Sequence, residues 1–524
     1  SPSPIGADKF SPSPIGADIV SPSPIGRGGD VSRQADRGGE VKTCRIYYAS
    51  VADYMTREEK LDYLSDNKSI ASEMINWQQL TPDEHGDWLN KRVGGVYDTY
   101  PRMGDKKDRS GDTNKVFCDG YTRGLGTSRD AWSYGYSKEH MLLNMEQSIS
   151  FFNQQLEAYK LAQNNEPNLK VEDFIDNDPT KISWSRAYRE DIARGKTQKF
   201  DKTRAINSIY RPFVKQSLYY DKDVLNDVGP LLNMFPYSLV RNIEHKAPNT
   251  SINRVICING VSSKKSFSCI MTDCIPDVQL MMNGQCFPLY VYGIEEKSTK
   301  PSIQKSIFGE QADCEDSANP YNRTSGITDW IFERTRKQYG HGDITKEDIF
   351  YYVYGILHCP SYREKYRNDF KKALPRIPFV ERFEDFVAFA KAGRELGDLH
   401  CNYESCPMNA AAQIVEDGFQ NYVIDKLRPV GKGYFTELKY NGHITIRNIP
   451  REAHEYIVNG RSPLGWIIDQ YQVSTDRDSG IKNDPNDWCR EHNNPRYILE
   501  LIMRVIEVSV RTVRIVKSLP KVEV

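Results

Sequence analysis

The sequence lacks the features of a membrane-spanning or secreted protein. Among its 524 residues, no apolar run reaches the roughly 18 residues that a bilayer span requires, and the N-terminus has no signal-peptide pattern. Its 11 cysteines at irregular spacing do not form a disulfide framework, so we expect reduced thiols and a cytoplasmic location. The formal net charge of -1 excludes a uniformly basic protein but allows local basic patches.

Several catalytic signatures are also missing. The sequence has no GxxxxGK[ST] phosphate loop, no acidic helicase box, no Asn-Pro-Pro-aromatic loop for a flipped adenine and no glycine-rich loop for S-adenosylmethionine. Hydrolase motifs of the GxSxG and HExxH types are absent as well. Because the corresponding reactions need these loops, we expect neither a cofactor nor a catalytic activity.

One weak catalytic pattern does occur. Pro276-Asp277 and Glu295-Glu296-Lys297 match the order found in Mg²⁺-dependent nucleases, where two carboxylates hold the metal and a lysine orients the attacking water. Such common residues at variable spacing arise easily by chance, and a solvated charge cluster after a strand explains Glu295 more simply. The pattern leaves a divergent nuclease as an alternative function.

Cysteine and histidine residues cluster twice, but without the paired CxxC spacing of a zinc site. The clusters are Cys269, Cys274 and Cys286, and His400, Cys401 and Cys406. Buried thiols are the simpler interpretation of both, so we expect no metal site.

The first part of the chain is a ten-residue repeat. SPSPIGAD at 1–8 returns at 11–18, and SPSPIGRGGD follows at 21–30. Serine, proline and glycine dominate these residues, so they cannot build a core, and we expect a disordered tail over 1–43. The repeat is interpreted either as read-through of repetitive DNA or as a flexible linker.

Hydrophobic periodicity predicts an α+β fold. In the N-terminal half, CRIYYASV at 44–51 predicts a strand, and Thr56 with Glu59 forms a capping box at the start of a helix. An apolar stripe predicts a second helix over 137–165. Short apolar runs separated by glycine and polar residues predict strands between 253 and 294, which gives a mixed α/β part with a β-rich centre.

The part after residue 325 is expected to be mainly helical. Thr345 caps a helix over 348–357, and further helices are predicted over 383–400 and 495–516. The last one carries acidic and basic residues four positions apart, which indicates an amphipathic helix and not a membrane span. Asn441-Gly442 marks the turn of a hairpin over 434–449.

Three basic segments interleaved with aromatic residues predict contact with a polyanion. Residues 181–215 hold ten basic and three acidic side chains, and the other two segments lie around 106–129 and 363–382. Cations contact DNA phosphates, and arginine can read bases, although a solvated helix face is the alternative for each segment. The candidate DNA-binding residues are Lys106, Lys107, Arg123, Arg129, Trp132, Arg186, Arg189, Arg211, Lys215, Lys264, Lys265 and Arg376.

Two groups within this set are expected to act differently. Arg123, Arg129 and Trp132 lie in a glycine-punctuated stretch, which favours entry into a DNA groove and contact with bases, although Arg129 could instead pair with Asp130. Arg211 and Lys215 lie beside Pro212, a more rigid setting that favours phosphate contacts.

Several longer segments, in order, resemble the C-terminal part of type ISP restriction–modification enzymes. They include VFCDGYTRGLGTSRDAWSYGYSKEHMLLNM, YRPFVKQSLYYD, CINGVSSKKSFSCIMTDCIPDVQL, AGRELGDLH and WIIDQYQVSTDRDSGIKNDPNDW, and the likeness runs from about 44 to 519. In that family, one polypeptide carries a nuclease, an ATP-driven translocase, a coupler, an adenine-N6 methyltransferase and a target-recognition domain. The resemblance implies that this chain is the recognition part.

The resemblance also implies a domain organisation and partners. Residues 44–65 correspond to the last strand and helix of a methyltransferase, 66–324 to an α/β DNA-recognition subdomain, and 325–524 to a mainly helical recognition subdomain. We expect a monomeric, non-catalytic module that binds specific double-stranded DNA, contacts no membrane and works beside methyltransferase and helicase modules. The alternatives are the Mg²⁺-dependent nuclease and an inactive remnant or docking scaffold.

Overall fold

The computed structural model describes residues 45–52, 55–105, 115–225, 229–235, 253–261, 263–294, 321–431 and 433–522. The predicted disordered tail lies outside these ranges, as do Lys106, Lys107, Glu295, Glu296 and Lys297. Backbone contacts divide the chain into two units, Ser1–Arg92 and Val93–Val524. The sites discussed below all belong to the second unit.

The described residues contain thirteen α-helices, together with short 3₁₀ turns. The helices are α1 (Arg57–Asn67), α2 (Val96–Thr99), α3 (Asp130–Ser133), α4 (Lys138–Asn165), α5 (Val171–Phe174), α6 (Arg186–Ala193), α7 (Asp329–Tyr339), α8 (Lys346–His358), α9 (Pro360–Lys365), α10 (Phe383–Cys401), α11 (Pro463–Gln470), α12 (Pro485–Glu491) and α13 (Tyr497–Ser518). The helix predicted to start at Thr56 and the helices predicted over 137–165, 348–357, 383–400 and 495–516 are all confirmed.

Two of these helices start at the predicted capping boxes. The Thr56 hydroxyl accepts the Glu59 N–H at 3.2 Å, and a Glu59 carboxylate oxygen accepts the Thr56 N–H at 2.6 Å. Thr345 and Asp348 make the same reciprocal pair at the start of α8. Each box satisfies donors that the first turn of a helix would otherwise leave unpaired.

The strands form small, mostly antiparallel sheets. The strands are β1 (Ile46–Tyr48), β2 (Gln78–Leu80), β3 (Thr122–Arg123), β4 (Tyr134–Gly135), β5 (Ala205–Arg211), β6 (Val214–Tyr219), β7 (Val255–Ile258), β8 (Cys269–Thr272), β9 (Ile275–Pro276), β10 (Gln285–Pro288), β11 (Tyr290–Ile294), β12 (Tyr321–Ser325), β13 (Gln413–Glu416), β14 (Arg428–Val430), β15 (Glu437–Lys439), β16 (Ile444–Arg447), β17 (Ser474–Thr475) and β18 (Lys482–Asn483). The four-stranded sheets have the orders β3-β10-β7-β8, β4-β6-β5-β9 and β13-β16-β15-β14.

This arrangement confirms the α+β class and the β-rich centre. The strand predicted from CRIYYASV is β1, and the predicted hairpin is the antiparallel pair β15–β16, with Asn441 in its turn accepting hydrogen bonds from two backbone N–H groups. The C-terminal part is less purely helical than expected, because β13 and β14 extend that hairpin into a four-stranded sheet.

The central sheet β3-β10-β7-β8 is buried on both faces. Along β7, Val255 and Cys257 belong to one hydrophobic core, while Ile256 and Ile258 belong to another. Side chains alternate between the faces of a strand, so an unbroken apolar run can serve two cores. Both cores also contain residues from beyond position 325, so the predicted boundary near 324 does not separate two hydrophobic cores.

A third core lies under the long helix α4. The predicted stripe is confirmed, because Met145, Phe152 and Leu156 are fully buried and Met141 and Ile149 nearly so. Their spacing of three or four residues places them on one face of the helix.

Helices α8 and α10 approach each other closely. A Cβ atom added at Gly393 would overlap the carbonyl oxygen of Tyr351, and one added at Gly355 would overlap that of Phe389. The two glycines therefore let the two backbones come nearer than any larger residue allows.

The last helix is amphipathic, as predicted. Arg504 donates to Glu500 at 2.9 Å, and Arg511 donates to Glu507 at 2.7 Å, both at a spacing of four residues. Across the described chain, the length and apolar character needed to cross a bilayer are not combined in any helix.

Candidate nucleic-acid interface

The structure brings two of the predicted basic segments together. The Ser183 hydroxyl lies 3.3 Å from the carbonyl oxygen of Ser128, and the Arg129 guanidinium donates to the Ser185 hydroxyl at 3.0 Å. A cleft of about 410 Å³ lies between the two segments and is lined in part by Trp184 and Arg189. Residues far apart in sequence thus share one surface. This supports treating the two segments as one basic region, but it does not support every DNA contact predicted within them.

Arg129 and Trp132 are packed inside this region. Their relative exposures are 3% and 4%, and the Arg129 guanidinium carbon lies 3.4 Å from the ring centroid of Tyr188. Burial also lowers the pKa of Arg129 from its usual value. A base contact needs an accessible side chain, so the expected entry of these two residues into a groove is corrected to a packing role. The 121–132 stretch contributes to a core as well as to a surface.

Replacing Arg129 by alanine is expected to lower the free energy of unfolding by about 2 kcal/mol, because a desolvated cation–π contact and a buried hydrogen bond are lost. Urea denaturation measures this loss. Binding to cognate and scrambled DNA should then weaken together. The matched control is Arg186→Ala, whose side chain is 92% exposed and which should change stability by less than about 0.5 kcal/mol. A stable R129A protein that loses only cognate preference would restore the base-reading role.

Arg211 is held by an internal carboxylate. Its guanidinium lies 2.8 Å from a carboxylate oxygen of Asp277 and 3.7 Å from the ring centroid of Tyr210. The same Asp277 oxygen accepts the Gln279 N–H at 2.8 Å. The structure thus shows Arg211 in an ion pair, and its phosphate contact stays a prediction.

The burial and pairing of Asp277 also argue against the predicted Mg²⁺-nuclease site. Burial raises the pKa of Asp277 to about 7, although Arg211 acts in the opposite direction. A buried carboxyl that is already paired with an arginine is a poor ligand for Mg²⁺. The other two members of the pattern, Glu295 and Lys297, lie outside the described residues.

The two cysteine and histidine clusters contain protonated thiols. Burial raises the pKa of Cys274 to about 12 and that of Cys401 well above its usual value. Zinc binds thiolates, which form readily only when the thiol pKa is low.

Lys215 and Arg376 also have internal partners. The Lys215 ammonium lies 2.7 Å from a Glu404 carboxylate oxygen. Arg376 donates to the carbonyl oxygens of Asp98 at 2.9 Å and Tyr100 at 3.0 Å. Both residues join segments that are distant in sequence, which is a structural role that their charge alone does not reveal.

The remaining described candidates are more accessible. The Arg186 side chain is 92% exposed and pairs with Glu190 at 2.8 Å, and Arg189 donates to the Asn177 side chain at 3.3 Å. Arg123 is exposed on β3, and Lys264 and Lys265 are exposed at the rim of a second cleft. These residues stay predicted DNA contacts.

Sequence reasoning missed an exposed surface on the C-terminal sheet. The pairing places Arg428 opposite Lys439, Lys439 opposite Thr445, and Thr445 opposite Val415. Directly paired residues project from the same face of a sheet. We call this surface the open sheet face, and it comprises Gln413, Val415, Arg428, Val430, Glu437, Lys439, Thr445 and Arg447.

The opposite face of that sheet is buried through Leu438 and Ile446. The alternation along β16 was visible in the sequence, since Ile444 and Ile446 are apolar while Thr445 and Arg447 are polar. That alternation could have identified the open sheet face, but the pairing with β13 and β14 required the tertiary structure.

The loop between β14 and β15 presents an aromatic side chain beside a cation. Tyr434 is 60% exposed, and the guanidinium carbon of Arg451 lies 5.1 Å from its ring centroid. Gly431 and Gly433 have φ values of +97° and +74°, which glycine adopts without strain. An exposed aromatic ring next to arginine is suited to stacking on a planar group.

Comparison with known proteins identifies the family. A family model described as the Type ISP C-terminal specificity domain matches residues 116–501. The chain belongs to this family. The match confirms the resemblance inferred from the sequence motifs and assigns most of the second unit to a specificity domain.

Solved Type ISP enzymes have the same architecture. A nuclease-deletion mutant of the Type ISP restriction-modification enzyme LlaGI, in complex with a DNA substrate mimic, is 32% identical with a TM-score of 0.73, over 92% of this chain and 40% of that chain. The ATP-dependent Type ISP enzyme LlaBIII bound to DNA is 32% identical with a TM-score of 0.75, over 92% of this chain and 28% of that chain.

A DrdV–DNA complex is also similar, with 25% identity and a TM-score of 0.72 over 92% of this chain and 44% of that chain. The specificity-domain chain thus spans less than half the length of these solved proteins. No curated protein matches it.

Proposed function

We propose that this chain recognises a specific double-stranded DNA sequence for a Type ISP restriction–modification enzyme, and that it performs no catalysis itself. The observation that carries the proposal is the match of 92% of the chain to enzymes solved with DNA or a DNA mimic. The burial of Asp277 in an ion pair supports the non-catalytic assignment over the nuclease alternative. We place the domain in the cytoplasm, as a monomeric module working beside methyltransferase and helicase modules.

The open sheet face is the surface that we assign to DNA. It presents three cations, Arg428, Lys439 and Arg447, against one carboxylate, Glu437. Arg447 and Glu437 lie 3.5 Å apart, which leaves Arg428 and Lys439 as its excess positive charge. Cations on an exposed surface favour phosphate contact and the release of counterions.

The edge strand β14 and the β14–β15 loop are the part of this sheet that we assign to a DNA groove. The major groove is about 12 Å wide, and several DNA-binding proteins read bases there with β-strands. Arg428 lies on the edge strand β14, where its guanidinium can reach a guanine edge. Tyr434 and Arg451 flank the same hairpin and would contact the adjacent backbone or a sugar.

Duplex binding is expected to be measurable and strongly salt-dependent. The affinity should fall with increasing salt, with a log–log slope of about −0.9 for each phosphate contact. Fluorescence anisotropy with a library-selected duplex and its scrambled version measures both the slope and the preference. Binding that is absent at low salt, or that does not change with salt, would exclude the proposed function.

Two variants separate base reading from phosphate contact in this experiment. R428A should lose about 1–3 kcal/mol of preference for the selected duplex, as expected for one bidentate contact. K439A should weaken both duplexes equally and reduce the salt slope by about one. K160A is the control, because Lys160 lies on α4 and pairs with Glu157 at 2.8 Å. Equal losses for R428A on both duplexes would remove base reading from the hairpin.

The same preparations test the alternative activity. With Mg²⁺ present, supercoiled plasmid should stay intact over hours, because Asp277 is committed to Arg211. Nicking that disappears in D277N but persists in K160A would overturn the non-catalytic assignment.

A further inference from the structure

A second cleft, of about 680 Å³, lies within the specificity domain where four segments meet. These segments lie at residues 264–268, 358–363, 455–460 and 512–517. The volume falls within the range of roughly 300–1,000 Å³ that is typical of small-ligand sites. It is large enough for a nucleotide and too small for a DNA duplex.

Asn459 fixes one wall of the cleft against another. Its backbone N–H donates to the Ser268 hydroxyl at 2.8 Å, and its side-chain amide donates to the Leu280 carbonyl at 3.1 Å. The next residue, Gly460, has a φ of +88° and lies against Lys265, whose ammonium would be 3.1 Å from a Cβ atom added there. The turn at 459–460 therefore leaves room for the Lys265 side chain along the cleft.

The charge of the cleft is predominantly positive. Lys264, Lys265, Arg363 and Lys517 line it, whereas Glu455 supplies the one carboxylate among the described lining residues. Lys517 lies 2.9 Å from that carboxylate, so the pair is neutral overall. Three cations then remain from two separate segments, which favours an anion carrying more than one charge.

Arg363 has a fixed position at the inner end. Its Nε donates to the Leu357 carbonyl at 2.5 Å, and the guanidinium lies 3.3 Å from the Cys269 sulfur. A guanidinium anchored on one edge still presents donors on its other edge, and its fork geometry matches two oxygens of one phosphate. The two lysines are exposed and can adjust to the rest of the ligand.

The inner wall of the cleft adds one neutral hydroxyl donor and no negative charge. The Tyr456 hydroxyl is buried and has no hydrogen-bond partner among the described residues. Burial lowers the pKa of His358, which lines the cleft, well below its usual value, so this ring is neutral at physiological pH. A buried hydroxyl without a hydrogen-bond acceptor destabilises the fold. A ligand oxygen that accepts its hydrogen bond would remove this cost.

We propose that this cleft is a phosphate-binding site. Arg363 and the two lysines contact the phosphate oxygens, and Phe267 and Tyr456 provide apolar surface beside them. A free nucleotide carries this multiple negative charge on one phosphate monoester, whereas in DNA two neighbouring, singly charged phosphodiesters would share the three cations. The first source rests on the proposed function, because it makes the cleft an anchor for the DNA backbone, whereas the second source is independent of it.

Calorimetry on the full chain tests the site with AMP, inorganic phosphate and adenosine as probes. AMP and phosphate should bind, and adenosine should bind at least about tenfold more weakly because it lacks the charged group. The double variant K264A/K265A should weaken AMP binding by about tenfold or more. The control K160A/K170A removes two lysines from outside the cleft and should bind AMP like the wild type. Lys170, Lys264 and Lys265 are exposed and the Lys160 side chain is 42% exposed, so neither double variant should impair folding.

Competition between AMP and duplex DNA shows whether the phosphate ligand belongs to DNA or to a free nucleotide. If DNA supplies the phosphate, it should compete with AMP, and K264A/K265A should reduce the salt slope of DNA binding by about two. If a nucleotide is the ligand, AMP binding is lost while the salt slope is unchanged. Equal AMP binding by the wild type and K264A/K265A, or equal binding of adenosine and AMP, would overturn the site. The chain could also bind AMP through the two lysines and yet fail to bind DNA. That result would support the phosphate site and reject the proposed function.

Discussion

Replacing Gly393 by alanine is expected to lower the free energy of unfolding by about 3 kcal/mol or more, at the upper end of the costs of overpacking. The reason is the close approach of α10 to α8, where the new methyl group would overlap the Tyr351 carbonyl oxygen. A backbone carbonyl inside a helix cannot rotate away as a side chain can. The two helices would have to separate, which would open the core around Tyr352 and Phe389.

Chemical denaturation followed by circular dichroism measures the effect of Gly393→Ala. The matched control is Gly442→Ala in the β15–β16 turn, where an added Cβ meets no atom within 4 Å. That change should alter stability by less than about 0.5 kcal/mol. Gly355→Ala should resemble G393A, because its methyl group would overlap the Phe389 carbonyl from the other helix. A G393A protein as stable as G442A would contradict the close packing of α8 on α10.

At a pH above 7, where Asp277 is ionised, replacing Arg211 by alanine is expected to lower the free energy of unfolding by about 3–5 kcal/mol, as when one partner of a buried ion pair is removed. Asp277 is only 2% exposed, so the variant leaves a carboxyl without its cation in the interior. A second substitution, Asp277→Asn, removes the charge and should recover a large part of the loss. Thermal and chemical denaturation of R211A, D277N and R211A/D277N form a double-mutant cycle that measures the coupling.

The same pair should make stability depend on pH. The pKa of Asp277 in the folded chain is raised from 3.8 to about 7, so the folded state binds this proton more tightly than the unfolded state. Its contribution to stability is therefore complete below pH 3.8 and is lost as the pH rises to about 7. In D277N this decline should be absent. An identical pH dependence for wild type and D277N would contradict the raised pKa, and a fully stable R211A would return Arg211 to the set of DNA contacts.

Local sequence signals predicted the secondary structure well because their causes are local. The Thr56–Glu59 and Thr345–Asp348 boxes each satisfy backbone donors within one helical turn, and the α4 stripe needs only helical spacing to face one side. The family was also recognisable, because its motifs lie in order along the chain. These features depend on residues that are near neighbours in sequence.

The roles of the basic residues were not predictable in the same way. Arg129, Arg211 and Lys215 have charges that suit DNA, but each has a partner that is distant in sequence: Ser185, Asp277 and Glu404. In the sequence such residues look like a basic patch, whereas in the folded chain they form internal hydrogen bonds and ion pairs. Whether a cation faces solvent is decided by packing, and packing involves many elements at once.

The sequence by itself determined the α+β class, the helix starts, the β15–β16 hairpin and membership of the Type ISP specificity family. Only the tertiary structure decided which cations remain accessible, because that depends on partners dozens to hundreds of residues away. It also joined β13 and β14 to the hairpin to form the open sheet face, and brought Lys265 and Arg363 to one cleft. Side-chain chemistry and local periodicity can be read from short stretches of sequence. A binding surface forms only when segments that are distant in sequence come together in the fold.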